Sequence, residues 1–161
     1  MDETLRQFIT ISKHRMIHHY LPKLTASLES LDESTLRLKE AEGMNSIGGI
    51  VGHVLLHIRR NTQRFRDPSA VFAQGIENEF PEGNGDKRAL IAEAEEAFQA
   101  FDEAVCACRD VDMYDLYHLV EHTGYHLGQI IDRAQRLTGT RYRFMQSGIS
   151  ETALKAWIVG D

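Results

Sequence analysis

An all-α fold, a four-helix bundle with a short C-terminal extension, is what the sequence predicts, on three observations. Apolar residues recur at spacings of three and four over long stretches, alternating β-branched runs are scarce, and only three prolines, Pro22, Pro68 and Pro81, occur in 161 residues. A chain of this length buries about two thirds of the surface its unfolded form exposes, so it needs neither a disulfide nor a metal merely to stay folded. The expected organisation is one domain over residues 1–161, with the bundle core at about 4–139 and a tail at 140–161.

The first helix is expected from about Thr4 to Ser30, with Leu5, Phe8, Ile9, Ser12, Met16, His19 and Tyr20 on one stripe that Leu24, Leu28 and Leu31 continue. Pro22 is its weak point, because an interior proline removes a hydrogen bond and kinks a helix. Asn45 and Ser46 offer capping oxygens to a second helix that proceeds through Ile47, Ile50, Val51, Val54, Leu55 and Ile58 to about Phe65. Gly48, Gly49 and Gly52 each weaken that helix by up to about 1 kcal/mol relative to Ala, so they mark close approach by another backbone, and tight helix packing explains them better than a phosphate loop. Arg66 to Asp86, rich in Pro, Gly, Asn and Glu, is expected to be a long surface loop. A third helix follows from about Lys87 to Cys108, with Leu90, Ile91, Ala94, Phe98, Phe101 and Val105 inward and its acidic residues on a solvated face. Asp112 caps the fourth, which carries Leu116, Tyr117, Leu119, Val120, Leu127, Ile130, Ile131 and Leu137 until Gly139 stops it. Arg133 and Arg136 suit the negative end of its dipole. Thr140 to Gly148 then reads as a polar connection to a short helix starting at Ser150 and ending with Ala156, Trp157 and Ile158, which docks on the bundle or on a neighbouring subunit.

The charge balance excludes whole classes of partner. With 18 Lys+Arg against 24 Asp+Glu the formal net charge is −6 and the pI is about 5.7, which argues against nucleic acid, whose binding rests on basic residues displacing counterions. No stretch approaches the ~20 apolar residues of a membrane span, and the start of the chain lacks the pattern of a signal peptide, so no membrane association and a cytoplasmic location are expected. Cys106 and Cys108, two residues apart, suit neither a bridge nor a Cys-x-x-Cys site and are expected to be reduced and partly buried.

The chemical signal lies in the histidines. His118, His122 and His126 follow one another at intervals of four on one helix, and His53 and His57 repeat the interval on another. Residues four apart rise about 6 Å and can direct two imidazoles toward one ion. Several imidazoles buried in apolar helices need partners, solvent or a metal; the competing reading leaves the His122/His126 pair at the bundle rim, titrating in water. Ferritin-like Glu-x-x-His pairs, His-Glu-x-x-His and Gly-x-Ser-x-Gly are all missing, and Asp115-x-x-His118 is the nearest approximation to the first.

Two segments carry a resemblance: Asn45-Ser46-Ile47-Gly48-Gly49-Ile50-Val51-Gly52-His53, and Glu121-His122-Thr123-Gly124-Tyr125-His126-Leu127-Gly128-Gln129-Ile130. Together, over roughly Thr4 to Gly139, they resemble the DinB/YfiT-like family of metalloenzymes. The resemblance implies an up-down-down-up four-helix bundle, a homodimer, and a divalent metal held by three histidines, which by position are His53, His122 and His126. His57 and His118 fall outside the family's ligand positions and are assigned to the rim or to supporting contacts ahead of ligation. Gln129 is assigned to packing or a dimer contact ahead of a hydrogen bond near the site. Related families include thiol-dependent transferases and isomerases.

The expected function is therefore a metal-dependent enzyme with a mononuclear three-histidine site for zinc, nickel or iron, acting by hydrolysis or thiol transfer on a small molecule that enters beside the 66–86 loop. No catalytic acid, base or nucleophile is identifiable; Glu121 neighbours His122 but points about 100° away. The alternatives are a non-catalytic dimeric stress-response or ligand-binding module with a vestigial site and, third, a carrier of haem or another cofactor.

Overall fold

The computed structural model describes residues 2–83, 85–108 and 111–160. It is all-helical, with no strand among the described residues. The first rod comprises α1 (Glu3–Arg15), a π-helical turn over Met16–Tyr20 and α2 (Leu21–Glu29). Pro22 explains the interruption. Proline lacks an N–H, and its ring would strike the carbonyl four residues earlier in a regular helix. The turn before it widens instead, with the Leu21 N–H reaching back five residues to the Met16 carbonyl, so the expected kink takes the form of a π turn.

A short helix missed in the sequence, α3 (Glu33–Arg37), follows. Asp32 Oδ1 caps it by accepting from the Thr35 N–H at 2.7 Å and the Ser34 hydroxyl at 2.8 Å, and these bonds hold the carboxyl down at about 2. Ahead of the longer α4 (Ile47–Arg66), Ser46 rather than Asn45 is the cap, its Oγ accepting from the Gly49 N–H at 2.9 Å. α5 (Lys87–Ala107) is capped by Asp86, and α6 (Met113–Thr138) by Asp112, with Gly139 closing α6 in the left-handed region at φ 69°. The helices therefore outnumber the four expected.

α4 packs chiefly against α5 and α6, while the first rod packs on the other side of α5 and α6. The core between them includes Met16, Leu28, Val51, Ile58, Phe98, Phe101 and Leu116, all fully enclosed. α4 and α6 run antiparallel: Arg133 near the end of α6 donates to the Asn45 carbonyl just before α4 at 2.6 Å. This register brings the middle of each helix to the same level.

The glycines at the start of α4 do mark a close backbone approach, but by a loop rather than by a helix. A Cβ on Gly52 would overlap the Pro81 carbonyl oxygen, and one on Gly49 would stand 3.3 Å from the Phe80 carbonyl oxygen. Residues 80–82 lie along this side of α4 and are fastened there by Glu82. Its carboxylate accepts from Ser46 Oγ at 2.6 Å, while the Arg37 guanidinium donates to its backbone carbonyl. A carboxylate at this position also complements the positive end of the α4 dipole. Among the described residues, the rest of the 67–86 connection is irregular except for one 3-10 turn, Ile76–Asn78.

The C-terminal helix α7 (Glu151–Gly160) docks on α1 and the π turn. Leu154 is its buried residue, whereas Trp157 is half exposed and stacks on His18 at 4.1 Å and 3°. Arg15 and Glu151 form a two-point ion pair at 2.5 and 3.0 Å across the seam. Because this pair is solvated, Arg15→Ala is expected to lower stability by less than about 1 kcal/mol in urea unfolding; a larger loss would mean the pair, not Leu154, holds the tail. Cys106 is exposed and Cys108 half-buried, both as thiols. No described helix is long and apolar enough to cross a membrane.

Candidate metal centre

His53 and His57 project from α4 toward His122 and His126 of α6, as the four-residue intervals and the antiparallel register dictate. Four imidazole rings meet there, with centroids 4.0 to 5.0 Å apart for each neighbouring pair. His53 is 2% exposed, His57 6% and His126 8%, so these rings lie inside the bundle rather than at a wet rim. His118 does lie at the rim: it is exposed, stacks on Tyr114, and its ring is 5.7 Å from that of His122.

One ligand nitrogen from each of His53, His122 and His126 lies within 4.8 Å of the other two. Two of these rings have their orientation and tautomer set from outside. His53 Nδ1–H donates to the Glu79 carbonyl at 2.7 Å, which leaves Nε2 with a lone pair directed at the centre. His126 Nδ1–H donates to Gln129 Oε1 at 2.9 Å, with the same consequence for its Nε2. Phe80 lies flat against His53, with centroids 4.2 Å and planes 13° apart, and closes that side to water.

The donor set fits a small divalent cation. His53 Nε2 and His122 Nε2 are 3.2 Å apart. Two nitrogens each about 2.05 Å from one tetrahedral ion stand about 3.3 Å apart, so this spacing is that of two ligands sharing an ion. Without an ion, His122 must donate its Nε2–H to His53, which leaves its buried Nδ1 with no hydrogen-bond partner. Such an orphaned atom costs on the order of 1–3 kcal/mol, and in the other tautomer, with the proton on Nδ1, His122 Nε2 presents a lone pair that faces that of His53, as two ligands of one cation would.

Burial favours the neutral form of three of the rings, His57, His122 and His126. Burial, reinforced by His53 and His118, pushes His57 down to about 4; burial, reinforced by His57, His126 and His53, pushes His122 down to about 3. Burial also lowers His126, against the raising influence of its bond to Gln129. Neutral imidazole is the form that binds metals. The sign for stability follows. Between the unfolded value of about 6.5 and these depressed values, the unfolded chain holds protons that the folded one lacks. The metal-free protein should thus be most stable above pH 6.5 and lose stability as pH falls from 6.5 toward 4. Urea midpoints at pH 7.5 and 5.0 check this, and an unchanged midpoint would contradict the burial of these rings.

His53, His122 and His126 are brought together as expected, and His57 joins them as a buried supporting ring whose Nε2 has no partner. Gln129 was expected to pack or to touch a second subunit; it instead hydrogen-bonds His126, because three residues along a helix place the amide beside the ring. The Glu79 carbonyl and Phe80 were missed altogether. A backbone carbonyl leaves no trace in residue type, although the glycines of α4 signalled that some backbone would lie close. Compared with models of protein families, with curated proteins and with solved structures, the chain matches none.

Proposed function

We propose that this chain is a metal-dependent enzyme of the DinB/YfiT-like kind, acting on a small molecule by hydrolysis or thiol transfer. In this reading His53, His122 and His126 hold one zinc, nickel or iron ion on an up-down-down-up four-helix bundle, and the protein is a cytoplasmic homodimer. The observation that carries it is the pair of facing nitrogens 3.2 Å apart, with a third imidazole in reach and two of the three rings fixed by partners outside the centre.

A divalent ion with three nitrogen ligands keeps coordination positions open and makes a bound water or thiol more acidic. The residues of the chain do the rest. The Glu79 carbonyl and Gln129 hold their imidazoles in the ligating tautomer, Phe80 excludes water beside His53, and exposed His118 marks the open side through which substrate enters. Burial lowers His126 overall, and exposed Glu121 opposes that only as a minor influence.

Untagged protein dialysed against zinc, nickel or iron(II) is expected to retain one ion per chain, and to turn over activated esters or thiol acceptors in a chelator-sensitive way. Failure to retain any of the three ions would overturn the reading. Metal binding without turnover of any of those substrates would leave the non-catalytic binding module in its place. Sedimentation equilibrium is expected to show a dimer; a lone 18.3 kDa species at micromolar concentration would remove the dimer from the proposal.

A further inference from the structure

Away from the histidine centre, the first rod and the C-terminal segment enclose a second cleft of about 660 Å3. Its walls hold three cationic side chains, Lys23, Arg141 and Arg143, in a chain whose overall charge is −6. The carboxylate there, Glu151, is already held by both Nη atoms of Arg15. Among the described residues, the side chains of Arg141 and Arg143 make no hydrogen bond or ion pair. Other clefts differ in this respect. Between α4 and α5, Arg59 is paired with Glu93 and Arg66 with Glu103, and in the cleft over α4 Arg60 lies on the ring of Phe72.

Lys23 strengthens the contrast. Its Nζ stands 2.7 Å from Nε2 of buried His19, a nitrogen that is also 3.3 Å from Glu151 Oε1, and two of the three ammonium N–H groups have no protein partner among the described residues. The same ammonium lies 5.5 Å from the ring centre of Phe144, which is stacked on Tyr142. One carboxylate, already paired with Arg15, does not balance three further cations, which repel one another, and a guanidinium fork is shaped for two oxygens of one oxyanion. The volume is that of a site for a small organic molecule, and Tyr142, Phe144 and Ile149 supply apolar walls.

We propose that this cleft binds a small organic oxyanion, a carboxylate or phosphate ester on an aromatic or other apolar body, with Lys23, Arg141 and Arg143 taking the oxygens and Phe144 and Tyr142 the body. The site is separate from the histidine centre and does not depend on the metal.

Calorimetric titration of metal-free protein with phenyl phosphate, benzoate, inorganic phosphate and benzyl alcohol tests it. Phenyl phosphate or benzoate is expected to bind one site per chain at least tenfold tighter than inorganic phosphate or benzyl alcohol, and which of the two is tighter identifies the headgroup. Binding should weaken with added salt. The double variant Arg141→Gln/Arg143→Gln, at exposed positions that leave the fold intact, should weaken it at least tenfold, and Phe144→Ala should weaken it as well, while His122→Ala leaves it unchanged. No binding of either aromatic anion at millimolar concentration, equal affinity for benzyl alcohol, or wild-type affinity in the double arginine variant would overturn the proposal. Loss of binding in His122→Ala would transfer the anion to the histidine centre and equally overturn it.

Discussion

Replacing His122 with alanine is expected to abolish the stabilisation that zinc or nickel gives the wild-type protein. Any ligand that binds the folded state alone stabilises it in proportion to the logarithm of its concentration over Kd, which is about 4 kcal/mol at a thousandfold excess. Partners outside the ligand set are typically worth 10- to 100-fold in metal affinity, so removal of a ligand itself should exceed about 100-fold and bring the thermal shift close to zero. His122 is the most informative position because its Nε2 faces that of His53 while its Nδ1 has no partner. The metal-free variant loses an unpartnered nitrogen along with a ring, so its own melting temperature should move far less than its response to metal. His57→Ala serves as the control. It removes a ring stacked on His122 but no member of the three-nitrogen set, and it should retain a clear metal-induced shift. A His122→Ala protein that responds to zinc as the wild type does would eliminate the centre as described.

The second large effect is expected from Gly52→Ala, and its sign runs against helix propensity. Alanine in a helix interior gains up to about 1 kcal/mol over glycine. At Gly52, however, the added Cβ would overlap the Pro81 carbonyl oxygen, which is backbone and cannot swing aside like a flexible side chain. Overpacking of this kind costs about 1–3 kcal/mol, so the net result should be a loss of up to about 2 kcal/mol in urea unfolding. The same displacement moves Glu79 and Phe80, which hold His53, so metal affinity should fall by about tenfold or more. Gly128→Ala provides the opposite sign. A Cβ there meets nothing within 4 Å, and that variant should gain up to about 1 kcal/mol. Equal stabilisation by both substitutions would show that residues 80–82 do not press on α4.

These contrasts also show how much was legible in the sequence. The long helices were readable because their apolar residues keep helical spacing, and Ser46 and Asp112 cap where the sequence placed caps, whereas the Asp86 cap of α5 was not singled out. α3 escaped because five residues carry too little periodicity, and only its Asp32 cap and buried Leu36 betray it. The interval of four marked His53 and His57 on one helix and His118, His122 and His126 on another, because a helix converts that interval into a shared direction, and the resemblance to the DinB/YfiT-like family implied which three would form the set. Convergence of two helices on one point depends on register, and register is fixed by contacts such as Arg133 to the Asn45 carbonyl, which link residues far apart in the chain. The hold on His53 comes from a loop carbonyl 26 residues away, and no residue type encodes a carbonyl. Gln129 was visible but misassigned, since amide side chains serve packing and hydrogen bonding equally well.

The π turn in the first rod has a geometric consequence of its own. From Met16 to Leu24 is eight residues, which in a regular helix overshoots two full turns by about 80° and would swing Leu24 and Leu28 away from the azimuth of Ile9 and Met16. The wider turn between them absorbs roughly one residue and cancels that overshoot, so both halves of the rod meet the core in phase. Counted this way, the segment carries one supernumerary residue. Excising Ile17 or His18 would restore angular continuity to an ordinary helix, but it would also set the ring of Pro22 against an intact carbonyl ladder. Steric relief and rotational bookkeeping are thus met by the same single residue.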